Sequence, residues 1–203
     1  MRTLFIPAKS RLKINKSKIL EISKKLPKNI VIAYSIQYKK IAEEVREILS
    51  KNHNILKFTQ VLGCSKPQFP KNTQFILLIS EGKFHAISLA IETHIPIYIF
   101  NNNNFDQISK QEIQNFEKRQ KASYVKFLNA NKIGILVSTK PGQENIKKAL
   151  EFKKQTKKKS YLFLGNEINH LEFENFPQIQ SWVNTACPRL DMNFSVVNLE
   201  KLR

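Results

Sequence analysis

Cysteine is scarce in this chain. Its 203 residues contain two, Cys64 and Cys187, 123 positions apart. Neither has a second Cys or a His near enough in sequence to complete a local metal knuckle, and two cysteines without framework spacing exclude a disulfide-stapled secreted scaffold. Free thiols of this kind fit a reducing compartment, so a cytoplasmic protein is expected. Apolar runs are short: none approaches the roughly 18 residues that a membrane-spanning helix needs. The amino-terminal region carries lysines but no apolar block before a small-residue cleavage site, so no secretion signal is expected. Carboxylates are also few, 16 against 34 Lys and Arg, which leaves a net charge of +18.

That excess is spread along the chain. Residues 1–100 carry 17 basic and 6 acidic side chains, and residues 101–203 carry 17 and 10, so there is no basic tail. A field of this sign favours anionic partners: nucleic acid, a ribonucleoprotein, an acidic protein surface or a charged cofactor. It is equally the mark of a lysine-rich composition with solvated helix faces. No arginine–aromatic interleaving or nucleic-acid-binding motif selects the first reading. With 41% hydrophobic and 25% charged residues the composition is that of a globular protein, long enough for one large domain or two small ones with real cores.

Short apolar runs alternate with amphipathic stretches. Leu4-Phe5-Ile6 predicts a strand, residues 16–26 a lysine-rich helix, Asn29–Tyr34 a strand and residues 38–49 a helix. In that helix Ile41, Val45, Ile48 and Leu49 share one face of a 3.6-residue period. Phe75–Ile79 is a continuous apolar run, typical of a parallel strand covered on both faces. A helix over 84–92 and a strand over 96–100 follow. The four asparagines at 101–104 form a polar break, and the boundary between two domains, residues 1–104 and 105–203, is placed there. Beyond it come a long helix over 111–128, with Ile113, Phe116, Tyr124, Phe127 and Leu128 as its buried stripe, and a strand over 133–138. A helix over 144–155, a strand over 161–165 and a last strand over 179–184 lead into Cys187. This alternation predicts an α/β architecture of two related small domains with parallel sheets. Both cysteines follow strand-like segments, near the edge where open α/β sheets place their ligand crevices.

Four short segments carry the candidate chemistry: Leu62-Gly63-Cys64-Ser65-Lys66-Pro67, Ser80-Glu81-Gly82-Lys83-Phe84-His85, Thr139-Lys140-Pro141-Gly142-Gln143 and Ala186-Cys187-Pro188-Arg189-Leu190. Gly63 lets backbone approach a bulky group beside Cys64, and equally serves a turn. Gly142, between a strand end and a helix, leaves bare amides where a carboxylate or phosphate could rest, although any strand-to-helix turn is built the same way. His85 opens a helix beside Gly82, where a histidine caps or packs more often than it catalyses. Arg189 suits bidentate pairing with a carboxylate, or an ion pair between domains. Trp182 reads as core, and His53, His94 and His170 have no partners at ligand spacing. Both cysteines also suit a plain role as buried thiols.

Taken in order, the four segments resemble the diphthamide-synthesis enzyme family of archaeal type, 2-(3-amino-3-carboxypropyl)histidine synthase. The family shows a Leu-Gly-Cys loop, a glycine followed by Phe-His, a Lys-Pro-Gly-Gln turn and a terminal Ala-Cys-Pro-Arg, and the likeness runs from Leu4 to about Asp191. The resemblance implies three related α/β domains, each giving one cysteine to a 4Fe-4S cluster whose open iron binds S-adenosylmethionine. It further implies a 3-amino-3-carboxypropyl radical that alkylates one histidine of translation elongation factor 2, the first step toward diphthamide. The active species it implies is a homodimer or heterodimer. Carried onto this sequence, it makes Cys64 and Cys187 cluster thiolates. Gly142, Gln143 and Arg189 would hold the aminocarboxypropyl end of S-adenosylmethionine, with Gly82 and His85 at the same crevice.

The sequence departs from that pattern in carrying only the second and third cysteine signatures. A cubane held by three thiolates with one open iron is chemically reasonable, whereas one held by Cys64 and Cys187 alone is not. Ser80-Glu81-Gly82 also has a glutamate where the resemblance leads one to expect an aspartate. The leading expectation is therefore the C-terminal subunit of a split synthase, lacking the first domain and active only with a separate chain that supplies that domain and the third cysteine. Two others stand beside it: a non-catalytic accessory subunit of the same complex, and a basic nucleic-acid-binding α/β protein with incidental cysteines. Under the leading reading nucleic acid is not a direct ligand, and no membrane is involved.

Overall fold

Asn15 opens the regular structure by accepting the Lys18 amide at 3.2 Å, capping α1 (Lys16–Ser23). The computed structural model describes residues 4, 6, 8–62, 67–188, 190 and 195–202, and it divides the chain into two units, Met1–Ile113 and Gln114–Arg203. Leu4 and Ile6, expected in a strand, lie outside regular structure and are exposed; Phe5 is outside the described residues. A short apolar run makes a strand only where a sheet edge is there to pair with it. Helix α1 stops short of residue 26 because Lys25 and Leu26 donate to the i−3 carbonyls of Ile22 and Ser23. The residue before Pro27 is disfavoured in a helix. His53 secures this turn, with Nδ1 2.8 Å from the Pro27 carbonyl and Nε2 2.8 Å from Ser23 Oγ. A carbonyl only accepts, so Nδ1 carries a proton, and in the neutral ring Nε2 accepts from Ser23.

The first unit continues with β1 (Asn29–Tyr34), α2 (Lys39–Leu49), β2 (Asn54–Gln60), β3 (Phe75–Ile79), α3 (Phe84–Thr93), β4 (Ile97–Asn101) and β5 (Asn104–Gln107), in sheet order β2-β1-β3-β4-β5. All five side chains of β3 are buried, as a strand covered on both faces requires. Ile41, Ala42, Val45 and Leu49 of α2 close the core over Ile30, Ile32, Leu77 and Ile79. Strand β2 was not legible beforehand: it lies at the sheet edge, is nowhere fully buried, and Lys57 interrupts its apolar pattern.

The four asparagines are not a domain boundary. Asn102 and Asn103 take φ values of 46° and 60°, forming the two-residue turn that joins β4 to the antiparallel β5. A type I′ hairpin turn needs positive φ at both central positions, and asparagine tolerates it. Asn103 also donates to the Lys13 carbonyl at 2.9 Å and accepts the Asn15 amide at 2.7 Å, fastening the approach to α1. The division falls after Ile113 instead, inside α4 (Lys110–Asn129).

Helix α4 starts with a capping box. Ser109 Oγ accepts the Glu112 amide at 3.2 Å, while the Glu112 carboxylate accepts the Ser109 amide and hydroxyl at 2.9 Å. Lys83, just after Gly82, adds an ion pair to Glu112 at 2.6 Å. The hydrogen bond from Lys83, and then those from Ser109, hold the Glu112 carboxyl down to about 2. Its folded-state value is depressed, so its stabilisation is full above the unfolded-chain value near ~4.3 and fades as pH falls towards 2. The pair is solvated, which limits the effect to about 1 kcal/mol. Glu112→Gln should lose that amount in urea denaturation at pH 7, and the gap to the parent should close on acidification. A gap that persists unchanged to the acid end would refute the assignment.

The second unit contains the rest of α4, then β6 (Lys132–Ser138), α5 (Ile146–Gln155), β7 (Lys159–Gly165), β8 (Ser181–Asn184), β9 (Val196–Asn198) and a short 3-10 turn at Leu199–Leu202. All four strands are parallel, in order β7-β6-β8-β9. This repeats the β2-β1-β3-β4 winding of the first unit. The stripe of α4 differs from the expected one: Phe116, Ser123 and Phe127 are buried, whereas Tyr124 is 41% and Leu128 53% exposed. Positions 116, 123 and 127 stand seven and eleven residues apart, on one line of a 3.6-residue period, and each next residue turns about 100° away. Lys158 donates to the carbonyls of Leu128 at 2.8 Å and Ala130 at 2.6 Å, closing the carboxyl end of α4. Trp182 is core, stacked on Phe173 at 4.3 Å and edge-on to Phe163 at 4.7 Å.

Candidate cofactor site

In the order β7-β6-β8-β9 the chain leaves β6 for β7 on one side and returns to β8 on the other. The carboxyl ends of β6 and β8 therefore bound the crevice where open parallel sheets take their ligands. A cavity of about 310 Å³ lies at these strand ends. Ser138, Lys140 and Gln143 reach it from the end of β6, Asn166, Glu167 and Ile168 from that of β7, and Cys187 and Leu190 from that of β8.

Each side chain is placed by local geometry. Lys140-Pro141-Gly142-Gln143 is a turn closed by the Gln143 amide donating to the Lys140 carbonyl at 3.0 Å, with Gly142 at φ 80°. Proline second and a positive-φ glycine third are what a type II turn demands, so Gly142 serves the turn and Gln143 is delivered to the cavity. Ser138 Oγ accepts the Lys140 amide at 3.2 Å. Lys140 pairs with Glu167 at 2.7 Å and holds its carboxyl below the usual range. Cys187 is a half-buried free thiol, and several hydrogen bonds hold its loop. Thr185 donates from its hydroxyl and amide to the Leu136 carbonyl, Asn145 donates to the Thr185 carbonyl at 2.9 Å, and Asn184 accepts the Ala186 amide at 2.9 Å.

The first unit carries polar groups at the matching edge. The Ser35 and Ser80 hydroxyls, one residue past β1 and β3, are buried without a hydrogen-bond partner. Tyr38 donates to Glu81 at 3.2 Å, and burial followed by the Glu81 charge raises its phenol above the ordinary value. Gly82 has φ 76°, and His85 sits half-buried in the first turn of α3.

Of the residues expected at the site, the structure brings Cys187 and Gln143 to one cavity, with Gly142 shaping its turn. Gly82 and His85 belong to the first unit. Cys64, Arg189 and Gly63 lie outside the described residues. Sequence reasoning passed over Ser138, Asn166, Glu167 and Ile168; their signal is position, at or just past the end of a parallel strand. Among the described residues no group of three His, Cys, Asp or Glu side chains could hold a metal ion. The donor chemistry fits part of an iron–sulfur site: Cys187 offers one soft sulfur donor among the cavity's lining residues, and the chain has only one further cysteine. No helix among the described residues is long and apolar enough to cross a membrane.

Two like-wound units of mostly parallel strands, one with a free thiol at its switch-point cavity, define an open-sheet α/β protein. The chain belongs to the family of diphthamide synthesis proteins, whose profile matches residues 1–195. It is similar to the 2-(3-amino-3-carboxypropyl)histidine synthase of Pyrococcus horikoshii, 29% identical over 209 residues, covering 94% of this chain and 60% of that one. It is also similar to the synthase of the same name from Methanocaldococcus jannaschii, 26% identical over 203 residues, covering 94% and 56%. The crystal structure of Dph2 from Pyrococcus horikoshii, solved also with a 4Fe-4S cluster, shares the fold with a TM-score of 0.76 at 24% identity, covering 96% of this chain and 62% of that one. The chain thus spans about three-fifths of the length of these relatives.

Proposed function

We propose that this chain is the C-terminal subunit of a split 2-(3-amino-3-carboxypropyl)histidine synthase. Its role is to help move the aminocarboxypropyl group of S-adenosylmethionine to a histidine of translation elongation factor 2. The observation that carries the reading is a free thiol, Cys187, on a bonded loop at the switch-point cavity of a family member. Cys187 and Cys64 would each bind one iron of a 4Fe-4S cluster, and a separate chain would give the third thiolate. When bound, that cluster supplies the electron that cleaves a sulfonium carbon–sulfur bond.

The other side chains bind and orient. An α-amino acid end carries an ammonium and a carboxylate, and the cavity offers Glu167 to the first and Lys140 to the second. Gln143 adds an amide, and Arg189, which lies outside the described residues, would add a guanidinium on the strength of the family resemblance. Cytoplasmic location and a heteromeric assembly follow from the same reading.

The test is anaerobic purification of the chain alone and after co-expression with a candidate first-domain chain, with iron, sulfide and labelled-group transfer to elongation factor 2 measured. The lone chain should hold little iron, and the pair should be brown, oxygen-sensitive and active. A lone chain that loads a full cluster and turns over ends the split reading. Activity that survives joint replacement of Cys64 and Cys187 makes the chain an accessory subunit. Iron-free protein that binds RNA with a steep salt slope points to the nucleic-acid reading.

A further inference from the structure

Three asparagines from three elements converge on the backbone of the Cys187 loop. Asn184, the last residue of β8, donates to the Cys187 carbonyl at 2.8 Å and to Asn198 Oδ1 at 2.6 Å, while its own Oδ1 accepts the Ala186 amide. Asn198, the last residue of β9, donates to the Pro188 carbonyl at 3.0 Å. Asn145, just ahead of α5, holds the Thr185 carbonyl. Asn184 and Asn198 are only 2% and 6% exposed, so their amides have little access to water as an alternative partner. Pro188 has no amide to satisfy, and the Cys187 carbonyl also accepts the Leu190 amide at 3.1 Å. The Thr185, Cys187 and Pro188 carbonyls around the thiol are thus fixed by side chains, and Cys187 is among the residues that line the cavity.

We propose that Asn198, acting through Asn184, is a positioning residue for the Cys187 thiol. The strand β9 exists in part to deliver it: the three-residue strand pairs with β8 so that Asn198 lies opposite Asn184 in register. Metal ligands are oriented by the hydrogen bonds behind them, and here those bonds are made to the ligand's own loop. The role of the thiol as a cluster ligand rests on the function proposed above, but the positioning does not.

Two measurements on the whole chain separate those claims. In Asn198→Ala, amide hydrogen exchange at Ala186 and Leu190 should speed up by about 10-fold or more, with Ile135 and Val183 in the strands unchanged. In a Cys64→Ser background, iodoacetamide should alkylate Cys187 about fivefold faster once the loop loosens. Should the alanine variant fail to fold, Asn184→Asp keeps the shape and the acceptor for Ala186 but removes both donated bonds, and should give the same local loosening. Unchanged exchange and alkylation in the variants overturn the proposal, as does a loss of protection equal in loop and strands, which would make the asparagines mere sheet supports. The third readout is the electron paramagnetic resonance spectrum of iron and sulfide reconstituted into the co-expressed complex, whose g-values should shift in Asn198→Ala. No iron in the parent complex sinks the cluster reading and leaves the positioning result standing, whereas normal iron with unshifted g-values counts against positioning.

Discussion

Cys187→Ser should lose iron binding and group transfer while keeping its fold. The serine hydroxyl is nearly isosteric, yet it is a hard donor that does not ionise near neutral pH, and it cannot replace a thiolate on iron. The loop is held by Asn145, Asn184, Asn198 and the Leu136 carbonyl and owes nothing to sulfur, so circular dichroism should overlay with the parent. Partners behind a metal ligand typically matter about 10–100-fold, so removing the ligand itself should cost the co-expressed complex more than about 100-fold in transfer. Iron content, transfer of labelled aminocarboxypropyl group and circular dichroism are to be read on the same preparation. Full activity in this variant would transfer the catalytic role to another chain.

Gly134→Ala should disrupt the second unit. Gly134 pairs with Trp182 across β6 and β8, and a β-carbon built on it would overlap the indole ring and stand 3.1 Å from Phe163. The indole has nowhere to go, because Phe173 stacks on it at 4.3 Å and Phe163 meets it edge-on. Overpacking of this kind costs about 3 kcal/mol, the upper part of the usual range, because neither ring can rotate away. Trp182 is the chain's one tryptophan, so its fluorescence reports the site directly. A red-shifted spectrum and an earlier denaturation midpoint are expected, and Gly134→Val should be worse. An alanine variant with the parent's spectrum and midpoint would show that the β6–β8 packing is looser than described.

Strands with unbroken apolar runs were legible in the sequence: Asn29–Tyr34 and Phe75–Ile79 form as read, and Lys132–Ser138 differs by one residue. The strands passed over were β2, an edge strand interrupted by Lys57; β5, which begins within the asparagine run; and β9, three residues long and defined by its neighbour rather than by its own pattern. The asparagine break misled because asparagine marks both linkers and positive-φ turns, and only pairing with β4 distinguishes them. At the site, Cys187 and Gln143 could be named because their segments carry a pattern. Asn145, Asn184 and Asn198 could not, since an asparagine becomes a clamp only when strand order sets it beside a particular carbonyl.

The repeated winding has one more consequence. Matched strand for strand, β3 corresponds to β8, yet β3 runs into Ser80, Glu81 and Gly82 whereas β8 runs into Thr185, Ala186 and Cys187. The halves share a scaffold but not a chemistry: a thiol follows β8, and a carboxylate follows β3. Exchanging the halves, or grafting one half's loop onto its counterpart strand, would relocate a donor rather than restore it. The duplication is therefore a symmetry of backbone alone, and each half is irreplaceable by the other.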